Sequence, residues 1–306
     1  MYAVSVIIAT HNRRKLLERA IDSIITQTFQ NFEIIVTVDA AIDDTLAYLE
    51  EITKKDGRVR YIVSEENIGP GAARNNAIEI ANGEFIAIMD DDDIAIRERL
   101  EKQLAVFDSN PETGLVYSTV AHVDDKLNVQ RVHPDFIAKG LAPVTPDEVF
   151  EKLYLSNCFI QNTTIMVRKS ALGDLRYPVY PWSGEDWLLM TKLAAKGVWM
   201  KAIPEPLVLM RRVAGKESLT AKQRSADDYL RAVGLVETLQ EWLKEEGISR
   251  FEHLDNKALA NKYHYGFREN MGKKKTELIF KAIRLDPLNK KYWKDLLRLA
   301  KKKILG

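Results

Sequence analysis

Residues 85–94 read FIAIMDDDDI, four carboxylates directly behind an apolar run. Carboxylates side by side repel, so four of them at a strand end cost free energy unless something positive sits there. A divalent cation such as Mg2+ or Mn2+ resolves the repulsion, because hard ions prefer carboxylate oxygen and are commonly shared between one or two carboxylates and substrate phosphates. Alternate residues of an extended chain share a face, so Asp90 and Asp92 can reach one ion, while Asp91 and Asp93 turn to a ribose or to helix-capping contacts. The bland alternative is a solvated acidic turn before the next helix. A second acidic pair, Glu185 and Asp186, opens a helical stretch, where it either caps the helix and favours its dipole or supplies a general base. Arg74 starts a helix behind GPGAAR, in which Gly69 and Gly71 let backbone approach a ligand, and a guanidinium suits a diphosphate. Thr10 and Asn12 follow one apolar run and Asp39 closes another; Asn12 also reads as a simple N-cap.

The elements that must hold these residues alternate. VSVIIAT, FEIIVTVD, VRYIVS and EFIAIMD read as strands. RKLLERAIDSIITQT, DDTLAYLEEITKK (with Asp43 or Asp44 near its N-cap) and GAARNNAIEIANG, ended by Gly83, read as helices between them. Near-continuous apolar strands separated by helices predict an α/β fold with a mostly parallel sheet covered on both faces. In such sheets ligands bind at the carboxyl ends of the strands, where ATHN, VDAAIDD and MDDDD all fall. Further on, LVYSTVAHVD and NTTIMVRK read as strands and EDWLLMTKLAAKG as a helix closed by Gly197. After about residue 213 the pattern becomes helical throughout. AIRLDPLNKKYW resembles the end of a tetratricopeptide-type hairpin, though one unit does not make a repeat.

The segment NIGPGAARNNAIEIANGEFIAIMDDDD resembles the signature of family 2 glycosyltransferases of the GT-A fold, in which an NxGxxxARN stretch precedes the strand carrying the DxD motif. The opening VSVIIATHNRRKLLERAIDSIITQTFQNFEIIVTVD resembles their first unit, SGEDWLLMTKLAAKG their ED motif, and LMRRVAGKESLT the Arg-containing loop that follows. The resemblance runs from residue 3 to about 220 and implies a GT-A (Rossmann-like) sheet flanked by helices. It implies a nucleotide-sugar half over residues 1–115 and an acceptor half over 116–220; the helical C-terminal region over 221–306 is read from its own pattern and lies beyond the resemblance. It further implies an inverting, metal-dependent transfer of a sugar from a nucleoside diphosphate, with Mn2+ or Mg2+ on Asp92 and Asp90. Asp186 is then the general base beside Glu185, and Thr10, Asn12, Asp39, Arg74, Asp90, Asp91 and Arg212 are donor contacts, with Arg211 a weaker candidate. The family counterpart of Asp39 accepts a hydrogen bond from uracil, which favours a UDP-sugar. Here the chain departs from the pattern: Ala40, Ala41 and Ile42 stand where Asp-Gly-Ser is usual. Trp182 and Trp187 flank the ED pair as sugar-stacking or core residues, Asn157, Gln161 and Asn162 are candidates to face the acceptor, and His11 and His122 lack metal-ligand spacing and read as structural.

The 45 basic and 44 acidic side chains nearly cancel, so no general attraction to nucleic acid is expected. Cys158 is the only cysteine, which excludes an internal disulfide and fits a reducing compartment. No run approaches the roughly 18 apolar residues of a membrane span, and a cytoplasmic protein is expected. From residue 271 Lys and Arg far outnumber acids, and YWKDLLRLAKKKIL has an apolar and a basic side. That helix reads as a solvated face, a dimer contact, or a peripheral attachment to anionic lipid at the cytoplasmic face, the last suiting a lipid-linked acceptor in glycan (polysaccharide) assembly. Two rivals stand beside the transferase: a non-catalytic nucleotide-sugar binder or scaffold, and a sugar-phosphate nucleotidyltransferase, whose glycine-rich loop after the first strand is missing from ATHNRRK.

Overall fold

The computed structural model describes residues 2–124, 126–156, 158–179, 184–211, 228–269 and 274–305. Its contacts divide the chain into two units, Met1–Val149 with Cys158–Ala214, and Phe150–Asn157 with Gly215–Gly306.

The first unit begins with β1 (Val4–Thr10), α1 (Arg14–Ile25), β2 (Phe32–Asp39), α2 (Thr45–Lys55), β3 (Val59–Ser64), α3 (Gly69–Glu79) and β4 (Phe85–Asp90). There follow the two-residue β5 (Ile94–Ala95), α4 (Arg99–Ser109), β6 (Thr113–Val123), β7 (Val129–His133), α5 (Asp135–Ala138), α6 (Pro146–Leu155), β8 (Met166–Arg168), α7 (Lys169–Leu172), α8 (Glu185–Ala195) and β9 (Trp199–Arg211). The strands form one sheet in the order β3-β2-β1-β4-β8-β6-β9-β5, with β7 also on β6. β3, β2, β1 and β4 run parallel, as the β-helix-β alternation requires. Beyond β4 the sheet becomes mixed. β8 is antiparallel to both β4 and β6, β5 is antiparallel to β9, and only β6 and β9 pair in parallel.

Burial explains the apolar strands. Every residue of β2 and β6 is buried, and β1 and β4 are nearly so. Leu17, Ala20, Ile21 and Ile24 of α1 join the core at helical spacing. Two element boundaries differ from the sequence expectation. α3 ends at Glu79 rather than at Gly83; Gly83 lies instead against β1, where a Cβ would stand 2.5 Å from the Ser5 amide nitrogen. NTTIMVRK is a 3-10 turn, Asn162–Thr164, followed by the short β8.

The second unit holds α9 (Asp228–Glu245), α10 (Asp255–Glu269), α11 (Lys274–Leu285) and α12 (Lys290–Leu305). Tyr229, Val233, Ala260, Phe267, Leu278, Ile279, Ala282, Ile283 and Tyr292 form its own core. Tyr154 donates to Asp255 at 2.7 Å and Phe150 stacks on Phe251 at 3.7 Å between centroids, so Phe150–Asn157 is a working part of this helical layer. Among the described residues no helix is long and apolar enough to cross a membrane.

Candidate active site

β4 delivers the acidic run to the carboxyl edge of the sheet and ends at Asp90; Asp91 and Asp92 then form a turn closed by the Asp93 N–H on the Asp90 carbonyl at 3.3 Å, so the side chains are distributed by a turn and not by the extended chain the sequence suggested. The side chains of Asp90 and Asp92 are 30% and 33% exposed; that of Asp91 is 6% exposed and Asp93 is buried. Asp91 is bolted inward: the Thr10 hydroxyl donates to its Oδ2 at 2.7 Å and Arg13 Nη1 to its Oδ1 at 3.0 Å. The same Arg13 nitrogen reaches Asp92 Oδ2 at 3.1 Å. Burial pushes the Asp91 carboxyl up to about 6 against the pull of Arg13. Asp92 is raised by burial and then by the charge of Asp90, with Arg13 opposing. Asp93 is raised well above its usual range, by burial first and the neighbouring aspartates next. One of its oxygens accepts the Arg211 N–H at 3.3 Å, while the other is buried without a hydrogen-bond partner.

Beneath this corner lies Arg99, fully buried. It donates to the carbonyls of Ile88 (2.8 Å) and Ile165 (3.3 Å) and to Gln103 Oε1 (3.1 Å). Burial lowers its pKa to about 10 against the pull of Asp93 and Asp90.

Arg74 joins the strand end to the second acidic pair. Its Nη2 lies 2.9 Å from Asp90 Oδ1 and its Nη1 3.1 Å from Glu185 Oε1, and its guanidinium sits 5.4 Å from the Tyr177 ring centre. Burial works to lower its pKa, and the charges of Asp90 and Glu185 outweigh that, so it stays protonated. Its Nε is buried with no partner. α8 starts from Gly184 at φ 88°, a left-handed conformation that favours glycine. Burial, then Asp186, pushes Glu185 up to about 7. Asp186 is also raised, by burial first, although the Trp187 N–H donates to its Oδ1 at 2.7 Å. The approach to α8 is fixed to α3. Asn75 donates to the Tyr177 carbonyl (2.8 Å) and accepts its N–H (3.0 Å), and Gly71 passes so close to the Pro178 carbonyl that a Cβ would collide with it.

The other two loops are tied to each other. Asp39 is buried, and its two oxygens accept the N–H groups of Ile68 (2.8 Å) and Gly69 (3.0 Å) at the start of α3. His11 Nδ1 donates to the Asp39 carbonyl at 2.5 Å, in the tautomer this network assigns. Asn12, at φ 55°, does not cap α1; its Oδ1 accepts the Ile42 N–H at 2.7 Å. Asp43 supplies the acceptor for the Arg14 N–H at 3.1 Å. Ala40 takes φ 49°, the left-handed region, and Ile42 is 92% exposed.

Of the residues singled out in the sequence, Thr10, Asp90, Asp91, Asp92, Arg74, Glu185 and Asp186 therefore converge on one charged network. Asp39 and Asn12 instead use their side chains on backbone of neighbouring loops, with carboxylate lone pairs of Asp39 still available to a ligand. Trp187 is buried, and Asn162 accepts the Tyr177 hydroxyl at 2.7 Å. Arg212, Trp182 and Asn157 lie outside the described residues. Sequence reasoning missed Arg13, Arg99, Asn75 and Tyr177. Arg13 was visible only as a base in ATHNRRK, and Arg99 only as a charge on the inner face of a helix.

The donor set suits a hard divalent cation. Asp90 and Asp92 are open to solvent and close enough for the charge of one to raise the pKa of the other. Among the described residues no group of three or more His, Cys, Asp or Glu forms a cage of its own. Two carboxylates completed by phosphate oxygens match what Mg2+ or Mn2+ accepts.

Comparison with known proteins places this site in context. The model of the family described as "Glycosyl transferase family 2" matches residues 5–176. An uncharacterized glycosyltransferase of Methanocaldococcus jannaschii, MJ1057, is 40% identical over 232 residues, 74% of this chain and 76% of that protein. The GalNAc(5)-diNAcBac-PP-undecaprenol beta-1,3-glucosyltransferase of Campylobacter jejuni is 33% identical over 58% of this chain; the match spans 55% of that protein. The crystal structure of S. aureus TarS 1–349 in complex with UDP-GlcNAc superimposes with a TM-score of 0.71 at 22% identity, over 94% of this chain and 83% of that one, a likeness of fold.

Proposed function

The chain belongs to glycosyl transferase family 2, and from that premise we propose that this glycosyltransferase uses a UDP-sugar and a divalent cation to glycosylate a hydroxyl of a lipid-linked glycan by an inverting displacement. The observation that carries the reading is the Arg74 bridge, which ties Asp90 at the strand end to Glu185 beside Asp186. Donor-side and acceptor-side acids thus belong to one rigid unit.

In this reading Asp92 and Asp90 hold Mn2+ or Mg2+, which when bound supplies positive charge to the diphosphate leaving group. Asp186 accepts the proton of the attacking hydroxyl as that oxygen bonds to the anomeric carbon and the diphosphate departs. One base suffices and no covalent intermediate is needed. Arg74 holds Asp90 and Glu185 apart from each other and fixed in direction. The buried surroundings of Asp186 raise its basicity, which suits a base working near neutral pH. Asn12 and Asp39 stand on the donor side, with Thr10 and Asp91 bracing the acidic corner behind them, and residues 1–115 serve as donor half, 116–220 as acceptor half and 221–306 as helical region. The lipid-linked acceptor is supported by the undecaprenol-linked substrate in the Campylobacter relative's name, and the UDP donor by the UDP-GlcNAc in the TarS complex.

A second feature supports work at a membrane surface. Trp293 and Leu297, one turn apart on α12, are exposed together with Leu288, and Lys290, Lys291 and Lys294 are exposed beside them. An apolar strip flanked by lysines suits an anionic lipid surface.

Donor hydrolysis and transfer with UDP-sugars and Mn2+ test the reading. Wild type is expected to turn over a UDP-sugar and Asp186→Ala to bind UDP without turnover. Wild type that binds UDP and never turns over any nucleotide sugar favours a scaffold.

A further inference from the structure

Arg13 stands at the start of α1, where its carbonyl accepts the N–H groups of Leu16 (2.9 Å) and Leu17 (3.0 Å). Its backbone is therefore fixed beneath the acidic corner. Among the described residues its guanidinium has carboxylate partners of unequal firmness in Asp91 and Asp92. Asp91, at 3.0 Å, is buried and held on its far oxygen by Thr10. Asp92, at 3.1 Å, is a third exposed and faces the open side. The bond to Asp91 is the anchor and the bond to Asp92 the one that can be shared.

Asp92 is also one of the two carboxylates proposed to hold a divalent cation, and the inference rests on that reading. A guanidinium and a divalent cation on one carboxylate compete for its oxygens and repel each other. A diphosphate reverses the balance, because its oxygens attract the cation and accept charge-assisted hydrogen bonds from the guanidinium. We propose that Arg13 is the resident counter-charge of Asp92, holding affinity for a free divalent cation low so that the cation is retained only together with the donor diphosphate. Cation and donor then each raise the other's affinity by the same factor. Arg13 is a positioning residue in this scheme: it acts through Asp92 and sets the order in which the site fills.

Mn2+ titration of the full chain, followed by the electron paramagnetic resonance of free Mn2+ with and without UDP, tests this on wild type, Arg13→Gln, Arg13→Met, Arg13→Lys and Asp92→Asn. Circular dichroism confirms that each variant is folded. The two neutral replacements are expected to bind Mn2+ alone on the order of tenfold more tightly than wild type, with a smaller gain on adding UDP. Arg13→Lys, which keeps the charge, is expected to stay near wild type. A folded Arg13→Gln or Arg13→Met that binds Mn2+ no more tightly than wild type, while Asp92→Asn binds it weakly, overturns the inference and leaves the ligand assignment standing. Asp92→Asn that binds Mn2+ as well as wild type overturns the ligand assignment itself, and the inference with it.

Discussion

The two ends of the central sheet both bury acids, and they treat them differently. At the amino end Glu33 is fully buried, and its carboxylate is saturated. Ser5 Oγ and the Asn82 N–H each donate to one oxygen at 2.7 Å, and Arg60 meets the other at 3.0 Å. A tight glycine, Gly83, seals that end against β1. At the carboxyl end a tight glycine, Gly71, seals α3 against the loop of Pro178 in the same way. The acids there, however, crowd one another, and buried atoms of Asp93 and Arg74 lack partners. A polar group buried with all its bonds made contributes structure; one buried with bonds unmade costs free energy and persists where a ligand or a reaction uses it. Unmade bonds alone do not mark the carboxyl end, since Nε of Arg60 beside Glu33 is also buried without a partner; the crowding of several acids does.

Substitutions can break or sharpen the contrast. The largest effect is expected from Asp186→Asn, which should lower the transfer rate by roughly 10²–10⁴ while UDP binding by calorimetry stays unchanged. Next comes a matched pair. Arg74→Met leaves Asp90 and Glu185 unpaired and should cost roughly 3–5 kcal/mol in denaturant unfolding together with activity. Glu33→Gln should cost about 1–3 kcal/mol and leave the turnover of the folded protein intact. Equal loss of activity in both would erase the distinction between the ends. The glycines form a milder pair: Gly83→Ala and Gly71→Ala should each destabilise by roughly 1–3 kcal/mol, with the rate falling only for Gly71→Ala, because that loop leads to Asp186.

The smallest expected effect is a pH slope. The pKa of Glu185 is raised from 4.5 to about 7, so the folded chain holds this proton more tightly than the unfolded one. Its contribution to stability is therefore full below the lower value and is lost as pH rises through the upper. Urea unfolding across that interval should show stability declining as the pH rises, a slope that Glu185→Gln removes.

Much of this was legible in the sequence. Apolar runs such as VSVIIAT and FEIIVTVD are buried on both faces, so composition alone marks them as parallel strands, and the placement of the acidic run at the carboxyl end of a strand followed from the same reading. Three things were hidden. The reversal of strand direction after β4 leaves no local trace, because β8 has only three residues and pairs through tertiary context. The partners of the acids were hidden because Arg13 and Arg99 look like ordinary helical bases until the fold brings them to Asp91 and to the Ile88 carbonyl. The bonding of Asp39 to α3 was hidden because it depends on where the next crossover lands.

Arg99 has a wider consequence. One nitrogen of its guanidinium, Nη2, donates both to the carbonyl of Ile88 on the parallel side and to that of Ile165 on the antiparallel side, at the seam where the sheet changes direction, while Nε holds Gln103 Oε1. A lysine has no second nitrogen to keep the Gln103 bond while its head spans the two carbonyls. The molecule is thus riveted at the boundary between two styles of construction, so that, in the function proposed above, material on the far side of the rivet is the part to rebuild for a new recipient of the sugar while the parallel masonry stays in place.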